Sequence, residues 1–404
     1  MTEVRWGHRE VIYTDNLADH DYRQIILQFE KVQIIMPLFF PVSQPSISEK
    51  DISYVTDAVR SGWVSSLGPY IEKFEQQFAA FCGTKYALTT SNGTTGLHLA
   101  LVAAGIVAGD EVLIPDLTFI ATANAVAYIG AKPVMLDVDS ESLCMDPDCI
   151  EEAITPRTRA IIPVHLYGHP ADMDSINRIA SRHGLSVIED AAEAHGAQYR
   201  GNPVGGLGLC GVFSFYGNKV ITSGEGGMIT TNDEALFVKA KRLRDHAMSP
   251  TRRYWHEEIG YNYRMTNLQA ALGVAQLERV QEFLAKRRKI MDWYRDGLGH
   301  VMGVRLNREA HWVKNVFWMV CVEIDGLTDA SRLTLMAALR KRGVDSRPYF
   351  HPVSDMPMYA QTDTPVTHEA SHKGLNLPSY TDLSEQDVAI ICEQFIESLG
   401  EVAF

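Results

Sequence analysis

Lys219 is the residue of this chain whose position best suits covalent chemistry. It follows the apolar segment Phe213–Tyr216 and precedes the glycine-rich run Ser223–Gly227. A lysine held between a buried strand and a tight turn is removed from water, which penalises its ammonium form and lowers its pKa. The neutral amine that results is a nucleophile for a carbonyl group. The alternative is an ordinary surface lysine in a loop between a strand and a helix.

A second segment has the residue types that bind phosphate. Residues 91–96 read SNGTTG and lie between the end of a predicted strand and the start of a predicted helix. Backbone N–H groups at a helix N-terminus, with hydroxyl groups beside them, bind phosphate oxygens. A helix-capping loop without a ligand has the same composition. Ser214 has a hydroxyl for the same phosphate as Thr94, or it is simply a residue of its strand.

Two more candidate residues follow predicted strands. Asp190 ends the apolar segment 187–190, and ligands of open α/β sheets lie at the carboxyl ends of strands. An ionised aspartate beside a pyridine nitrogen keeps it protonated and makes the ring an electron sink; capping of the next turn is the alternative. Phe119 follows another strand, where an aromatic ring stacks on a flat cofactor or belongs to the core. Together with Lys219, these residues predict a Schiff-base site for pyridoxal phosphate.

Strands and helices alternate between residues 83 and 232, the pattern of an α/β sheet with helices on both faces. The predicted strands lie at 87–90, 111–114, 133–136, 160–164, 186–189, 212–213 and 228–231, with helices at 94–104, 121–128 and 173–183. Long helices follow between residues 267 and 294. The last part predicts an α+β unit, with strands at 317–324, 345–349 and 375–378 and helices at 331–342 and 385–399.

These segments divide the chain into three predicted parts. Residues 1–36 are an N-terminal extension of unknown role, with a short predicted helix at 22–32. Residues 37–285 form a large α/β domain that binds the cofactor. Residues 286–404 form a smaller C-terminal α+β domain.

Composition argues against several functional classes. The formal net charge of −13 disfavours nonspecific nucleic-acid binding, because a phosphate backbone binds clustered Lys and Arg. Charges interrupt the apolar stretches before the ~20 residues of a membrane span, and the first 20 residues lack the apolar core of a secretory signal. The cysteines and histidines have no spacing typical of metal ligands. A cytoplasmic protein without a metal is therefore expected.

Taken together, the motifs resemble those of the DegT/StrS family of nucleotide-sugar aminotransferases, and most of all its perosamine synthase-like members. The similarity extends from about Pro41 to the end of the chain. The matching segments are SNGT at 91–94, PxxTFxAT at 115–122, IEDAA at 188–192, FSFYGNK at 213–219, GEGG at 224–227 and GYNYRM at 260–265. The resemblance implies a fold-type I pyridoxal phosphate transferase, with a large, mostly parallel mixed α/β sheet domain and a smaller α+β C-terminal domain.

The resemblance also implies roles for residues around the ring of the cofactor. Lys219 matches the lysine that binds pyridoxal phosphate covalently, and Asp190 matches the partner of the pyridinium nitrogen. Glu193 falls where the family has Gln, His or Glu near the phenolic oxygen of the cofactor. Some family members have histidine in place of the lysine and dehydrate sugars, so Lys219 argues against that branch.

Further matches concern the phosphate and the assembly. Gly93, Thr94 and Ser214 match phosphate contacts, and Phe119 matches the residue that stacks on the ring. Asn262 matches an asparagine that reaches the phosphate from the neighbouring subunit. The resemblance therefore implies a homodimer with shared active sites.

The implied activity is a transamination in two half-reactions. An amino donor, glutamate, gives up its amino group, and a keto-sugar then accepts it. The substrate by resemblance is a nucleotide-linked 4-keto-6-deoxyhexose for cell-surface polysaccharide or lipopolysaccharide synthesis. A non-catalytic sugar-binding or regulatory protein on the same fold is the alternative of another class, and loss of Lys219 or Asp190 would have favoured it.

One departure from the family pattern leaves a second substrate open. Perosamine synthases commonly have a histidine in the loop after the Arg-Pro strand, and here Ser354 stands at that position while His351 lies earlier. An acidic keto-sugar without a nucleotide, such as the 8-oxo form of Kdo, is therefore the alternative. Arg347 is a candidate for a substrate carboxylate or sugar phosphate, or else for a structural ion pair.

Overall fold

The computed structural model describes residues 3–6, 9–12 and 38–402. The first 38 residues form a unit of their own, in which strands β1 (Glu3–Trp6) and β2 (Arg9–Ile12) pair antiparallel. The helix predicted at 22–32 lies outside the described residues. The chain from Phe39 onward forms the second unit, and this unit contains the predicted α/β pattern.

A seven-stranded sheet lies at the centre of this second unit, in the order β3-β11-β10-β7-β6-β4-β5. Its strands are β3 (Tyr86–Thr90), β4 (Glu111–Pro115), β5 (Lys132–Leu136), β6 (Thr158–Ile161), β7 (Ser186–Asp190), β10 (Cys210–Ser214) and β11 (Gly227–Thr231). Strand β11 is antiparallel to both of its neighbours, and the other six strands run parallel to one another. The mostly parallel mixed sheet expected from the sequence is thus confirmed.

Helices cover both faces of the sheet, so its strands are apolar on both sides. In β10, Val212 packs into one hydrophobic cluster and Phe213 into the other, because successive side chains point to opposite faces. The helices that precede or follow these strands are α1 (Glu49–Arg60), α2 (Pro69–Cys82), α3 (Gly93–Ala103), α4 (Ala121–Tyr128), α5 (Ile150–Ala153), α6 (Met173–His183), α7 (Glu234–Arg244) and α8 (Asn267–Leu277). None of the helices in the described ranges is long and apolar enough to cross a membrane.

A smaller antiparallel sheet is built from the end of the chain, in the order β12-β14-β16-β15. Its strands are β12 (Val304–Leu306), β14 (Val320–Ile324), β15 (Arg347–Pro348) and β16 (Gly374–Leu377), and the helices of this part are α9 (Val280–Leu298), α10 (Asp329–Lys341), α11 (Pro365–Lys373) and α12 (Glu385–Leu399). They share a third hydrophobic cluster around Tyr294, Leu339 and Phe395. This separate core supports a smaller C-terminal domain, which we retain as a proposal; the boundary predicted at 285/286 falls inside α9.

A third, short sheet joins distant parts of the sequence. It contains β8 (Gln198–Tyr199), β9 (Asn202–Pro203) and β13 (Val313–Lys314), and β13 pairs with β8. This sheet links the segment after β7 to the segment that leads into β14.

Several predicted bounds agree with the structure, others shift by one to three residues, and two strands differ for local reasons. The helices predicted at 121–128, 173–183 and 385–399 have these bounds. The strand predicted at 317–324 begins only at Val320, because Phe317 has a φ of 49°, in the left-handed region, and turns the chain. The strand predicted at 160–164 ends at Ile161, although Val164 still forms an isolated bridge with Asp190.

The parallel direction of the strands brings the predicted site residues to one place. Strands β3, β4, β7 and β10 all have their carboxyl ends at the same edge of the sheet. Asp190 is the last residue of β7, and the loops or helices that follow the other three ends contain Gly93, Phe119 and Lys219. This edge is where open α/β sheets bind ligands.

Candidate active site

A cavity of about 380 Å³ lies at this edge, within the ~300–1,000 Å³ range of small-molecule sites. Seven sequence-predicted residues line it: Gly93, Thr94, Phe119, Asp190, Glu193, Ser214 and Lys219. The other lining residues are Asn92, Leu97, Thr118, Ala121, Val164, Ala192, Tyr216, Asn218, Glu225, Trp318 and Phe350. Residues separated by more than 250 positions in the sequence thus meet at one site.

Lys219 lies in the turn that follows β10, where its N–H donates to the carbonyl of Tyr216 at 3.0 Å. Its side chain is only 12% exposed. The Nζ atom lies 3.6 Å from Oε1 of Glu193 and 3.7 Å from the centre of the Trp318 indole ring. Burial lowers the pKa of Lys219, while the carboxyl groups of Glu193 and Asp190 act in the opposite direction. The environment inferred for this lysine from the sequence is therefore present.

Glu193 is the buried acid beside this amine. Its Oε2 atom accepts the N–H of Tyr167 at 2.8 Å. Burial raises the pKa of Glu193 to about 7, and the charge of Lys219 and the Tyr167 N–H oppose the shift. Burial thus favours the neutral form of both partners, since each loses its hydration in the cavity wall.

Asp190 is held in one orientation at the carboxyl end of β7. The hydroxyl of Thr122 donates to its Oδ2 at 2.8 Å, and the N–H of Ala192 donates to its Oδ1 at 3.2 Å. Burial raises the pKa of Asp190, while these two hydrogen bonds favour the ionised form. Thr122 is in α4 and its hydroxyl is also 3.0 Å from that of Thr118.

The other end of the cavity is formed by the N-terminus of α3. Asn92 caps this helix and its Oδ1 accepts the N–H of Thr95 at 2.9 Å. The first N–H groups of a helix have no partner within it, and the helix dipole makes this end positive. A Cβ at Gly93 would lie 2.9 Å from Cβ of Ser214, so the absence of a side chain here brings α3 and the end of β10 together.

Gly227 allows a second close approach at this end. A Cβ at Gly227 would lie 2.4 Å from the carbonyl oxygen of Asn92. Strand β11 therefore passes directly behind the capping loop, and any other residue would displace it. This explains why the glycine-rich run that follows Lys219 belongs to the site.

These residues fit pyridoxal phosphate. The cavity has a buried amine at Lys219, a fixed carboxyl group at Asp190 and a positive helix N-terminus with hydroxyl groups at Thr94 and Ser214. Phe119 adds an aromatic ring that is 55% exposed at the cavity edge. Within the described ranges, no group of three or more His, Cys, Asp or Glu side chains is arranged to hold a metal ion.

Asn262 does not line this cavity. It is exposed and lies between Tyr261 and Tyr263, whose rings stack with centroids 4.9 Å apart. The Tyr263 hydroxyl is 3.1 Å from Nδ1 of His98, and the Tyr263 carbonyl accepts the N–H of Ser91 at 2.8 Å. The segment is therefore anchored beside the capping loop, with the asparagine on the surface.

Two predicted substrate residues also lie outside the lining. The guanidinium of Arg347 donates to Oδ1 of Asp345 at 2.8 Å and its side chain is 59% exposed, so it forms the ion pair that was its alternative. His351 is exposed. Ser354 is buried, and both its N–H and its hydroxyl donate to the carboxyl group of Asp116, at 2.7 and 2.6 Å. Ser354 thus has a structural role in this loop.

Sequence reasoning missed some of the lining residues. Trp318 and Phe350 come from the C-terminal part, and Trp318 covers the side of the cavity next to Lys219. No spacing in the sequence relates them to the lysine, although Phe317-Trp-Met319 is a conspicuous aromatic motif. Thr122, which donates to Asp190, is the last residue of the segment PxxTFxAT. The match of this segment to the family could therefore have indicated Thr122 as a site residue.

Comparison with known proteins agrees with this site. The model of the DegT/DnrJ/EryC1/StrS aminotransferase family matches residues 45–396. The GDP-perosamine synthase of Caulobacter vibrioides is 49% identical over 366 residues, which are 89% of this chain and 97% of that protein. The GDP-perosamine synthase of Vibrio cholerae is 41% identical, over 87% of this chain and 97% of that protein.

Solved structures show the same architecture. A putative sugar aminotransferase from Streptococcus pneumoniae, in its PMP form, has a TM-score of 0.86 at 26% identity and covers 90% of this chain and 98% of its own. DesV from S. venezuelae, in complex with a ketimine intermediate, has a TM-score of 0.82 at 34% identity and covers 90% of this chain and 100% of its own. This chain belongs to the DegT/DnrJ/EryC1/StrS aminotransferase family, and it is a sugar aminotransferase that depends on pyridoxal phosphate.

Proposed function

We propose that this protein transfers an amino group from glutamate to C4 of a GDP-linked 4-keto-6-deoxyhexose. The observation that carries the chemistry is the buried amine of Lys219, which faces Glu193 in a cavity that also contains Asp190. The identity of the sugar is supported by the GDP-perosamine synthases, which align with this chain over nearly their whole length. The product would be a 4-amino-4,6-dideoxyhexose for cell-surface polysaccharide.

Lys219 would hold the cofactor covalently and then move the proton. When bound, pyridoxal phosphate supplies the aldehyde that carries the amino group and a ring that takes up the electron pair released at the substrate carbon. The Nζ atom of Lys219, once free, would accept the proton from that carbon as a general base and return it two atoms away as a general acid, a 1,3-proton shift. Its lowered pKa suits this work, because a neutral amine is needed near neutral pH.

Asp190 and the α3 N-terminus would orient the cofactor. The carboxylate of Asp190 keeps a proton on the ring nitrogen, and its bonds from Thr122 and Ala192 prevent it from turning away. The N-terminus of α3, with Thr94 and Ser214, holds the phosphate. Glu193, whose Oε1 lies 3.6 Å from the Lys219 amine, would be the residue near the phenolic oxygen.

The charge of the cavity favours a neutral sugar ring over an acidic one. Lys219 is the one cationic side chain in the part of the lining that this chain provides, whereas Asp190, Glu193 and Glu225 are acids. Arg347 is paired with Asp345 outside the lining. Because Lys219 is committed to the cofactor, this lining leaves no free cation for a carboxylate on the sugar, and the GDP-linked hexose is the better match.

We also propose that two chains share each site. Tyr261 and Tyr263 pack inward, so the extended segment presents Asn262 on the outer surface. A second subunit placed against this surface would receive Asn262 near the phosphate end of its own cavity. Asn262 would then donate its amide to the phosphate in the partner.

The direct test is an amination assay with purified protein, pyridoxal phosphate and L-glutamate. We expect a GDP-linked 4-keto-6-deoxyhexose to yield the 4-amino sugar and 2-oxoglutarate in equal amounts, both detected by mass spectrometry. Lys219→Ala should abolish both products. Turnover of an 8-oxo octulosonate without nucleotide, and none of the GDP-sugar, would replace the proposed substrate with the acidic one. No amino transfer to any member of a keto-sugar panel would refute the proposal.

A further inference from the structure

Tyr167 has an unusual backbone in the turn that leaves the sheet beside Asp190. The N–H of His165 donates to the carbonyl of Asp190 at 3.0 Å, and Tyr167 follows two residues later. Tyr167 has φ 52° and ψ 17°, the left-handed conformation, which costs roughly 1–2 kcal/mol for a residue with a side chain. Its side chain is buried at 3% exposure. Such strain persists only where the surroundings determine it, and it is concentrated at functional sites.

Each polar group of Tyr167 bonds to a different residue of the cavity wall. Its N–H donates to Oε2 of Glu193 at 2.8 Å. Its carbonyl accepts the N–H of Trp318 at 3.2 Å. Its hydroxyl oxygen accepts the N–H of Phe350 at 3.2 Å. All three partners line the cavity, and they come from three distant segments of the chain.

The ring of Tyr167 supports the same residues. It stacks on Phe350 with centroids 5.4 Å apart and an interplanar angle of 23°. It also lies nearly parallel to the indole of Trp318, at 6.4 Å and 24°. Tyr167 itself is absent from the cavity lining, so it acts on the cavity only through these neighbours.

We propose that Tyr167 is a positioning residue, which holds Glu193, Trp318 and Phe350 together as the wall that binds the keto-sugar ring. Two aromatic side chains offer an apolar surface to the C–H groups of a deoxyhexose, and the Tyr167 N–H keeps the Glu193 carboxyl group at the edge of this surface, beside Lys219. The identity of this sugar rests on the proposed function. Because its backbone is left-handed, Tyr167 can bond to the wall with its N–H, its carbonyl and its hydroxyl at the same time.

The test uses the cofactor-loaded enzyme and the GDP-linked 4-amino product as the binding probe, with calorimetry as the readout. Tyr167→Phe retains the ring and the backbone and leaves the buried N–H of Phe350 without its acceptor. We expect the product to bind about tenfold more weakly. The KM for the keto-sugar should rise in parallel, with kcat and the affinity for pyridoxal phosphate within about twofold of wild type.

Tyr294→Phe is the matched control. Tyr294 is also fully buried, and its hydroxyl donates to a backbone carbonyl, that of Pro378, at 2.9 Å, but it does not line the cavity. It should lower thermal stability without changing product affinity. An equal loss of affinity in both variants would reduce Tyr167 to a general structural residue and overturn the inference.

A double-mutant cycle with Phe350→Ala identifies the route of the effect. If Tyr167 acts by placing Phe350, the double variant should bind the product no more weakly than Phe350→Ala alone. Full additivity of the two losses would contradict positioning through this ring. Wild-type protein that fails to bind the product would refute the proposed substrate, whereas normal binding by both wild type and Tyr167→Phe would refute the role of Tyr167.

Discussion

The Nζ atom of Lys219 and the Oε1 atom of Glu193 lie 3.6 Å apart, and both side chains are buried. At the protein surface this pair would be fully ionised. Here burial favours the neutral form of each partner, and their mutual attraction opposes that shift. Glu193 therefore limits how far burial lowers the pKa of the Lys219 amine, the group that reacts with carbonyls.

Replacing this acid should lower the pKa of Lys219 further. Glu193→Gln keeps an oxygen acceptor for the Tyr167 N–H but removes the negative charge that favours the ammonium form. The pKa can be read from the pH dependence of Lys219 carbamylation by cyanate in cofactor-free protein, followed by peptide mass spectrometry. Glu225→Gln, at another acid of the same lining, is the control and should move this pKa less. A rise of the pKa in Glu193→Gln would contradict the assignment.

His195 should make the fold sensitive to acid. It is packed against Phe78, Phe213 and Phe215, and burial lowers its pKa from 6.5 to about 3. The unfolded chain therefore takes up a proton below pH 6.5 that the folded chain does not take up until about pH 3. Stability contributed by the neutral ring is lost as the pH falls through this window.

His195→Phe removes this titrating group from an aromatic environment that accepts another ring. Urea unfolding between pH 6 and 4 measures how the free energy of unfolding falls with pH. The fall should be less steep in the variant than in the wild type, and the two slopes should differ by about 1.4 kcal/mol per pH unit. A variant whose slope equals that of the wild type would show that His195 is already protonated in the folded protein.

Gly93→Ala should weaken cofactor binding. The added Cβ would lie 2.9 Å from Cβ of Ser214, so α3 must move away from the end of β10 and disturb the phosphate end of the cavity. We expect the Kd for pyridoxal phosphate to rise about tenfold, or ~1.4 kcal/mol. Gly217→Ala is the control, because its Cβ would meet nothing within 4 Å. Similar Kd values for the two variants would argue against this packing.

Asn262→Ala and Lys219→Ala should complement each other. If each site takes its lysine from one chain and its asparagine from another, a mixed dimer contains one site with both residues intact. Each variant alone should be strongly impaired, and mixtures that have exchanged subunits should recover up to about a quarter of wild-type activity per site on statistical grounds. Proven exchange without recovery would leave Asn262 outside the shared site.

Asp116 should be important for the loop that leads from Phe350 into α11. Its buried carboxyl group accepts three bonds, from the N–H and hydroxyl of Ser354 and from the hydroxyl of Thr364. Asp116→Ala leaves these donors unpaired and should lower the free energy of unfolding by about 3 kcal/mol. Thr364→Val removes one of the three bonds and should cost about 1 kcal/mol. Equal losses in urea unfolding would show that the two bonds from Ser354 add nothing beyond the bond from Thr364, and would contradict this expectation.

Much of the site could be predicted because it depends on the direction of the strands. Gly93, Phe119 and Lys219 each follow a strand of a parallel set and Asp190 ends another, and parallel strands place their carboxyl ends at one edge. The alternation of apolar strands and amphipathic helices therefore determined which residues would meet. The residue types then indicated an amine, a carboxylate and a phosphate cradle.

The rest of the cavity could not be predicted because it depends on packing between distant segments. Trp318 lies over the Lys219 amine, and it directly follows Phe317, whose left-handed backbone turns the chain before β14. Ser354 looked like a substitution at a substrate position, yet its partner is Asp116, more than 200 residues earlier. Neither relationship leaves a periodic pattern in the sequence.

The position of Trp318 has a consequence for biosynthesis. Every lining residue except Trp318 and Phe350 precedes the end of β11, so these two residues are translated only after the seven-stranded sheet is complete. The nascent protein would pass through a stage in which the amine lies open to metabolites. The wall proposed to receive the sugar would then be completed only in the last quarter of translation.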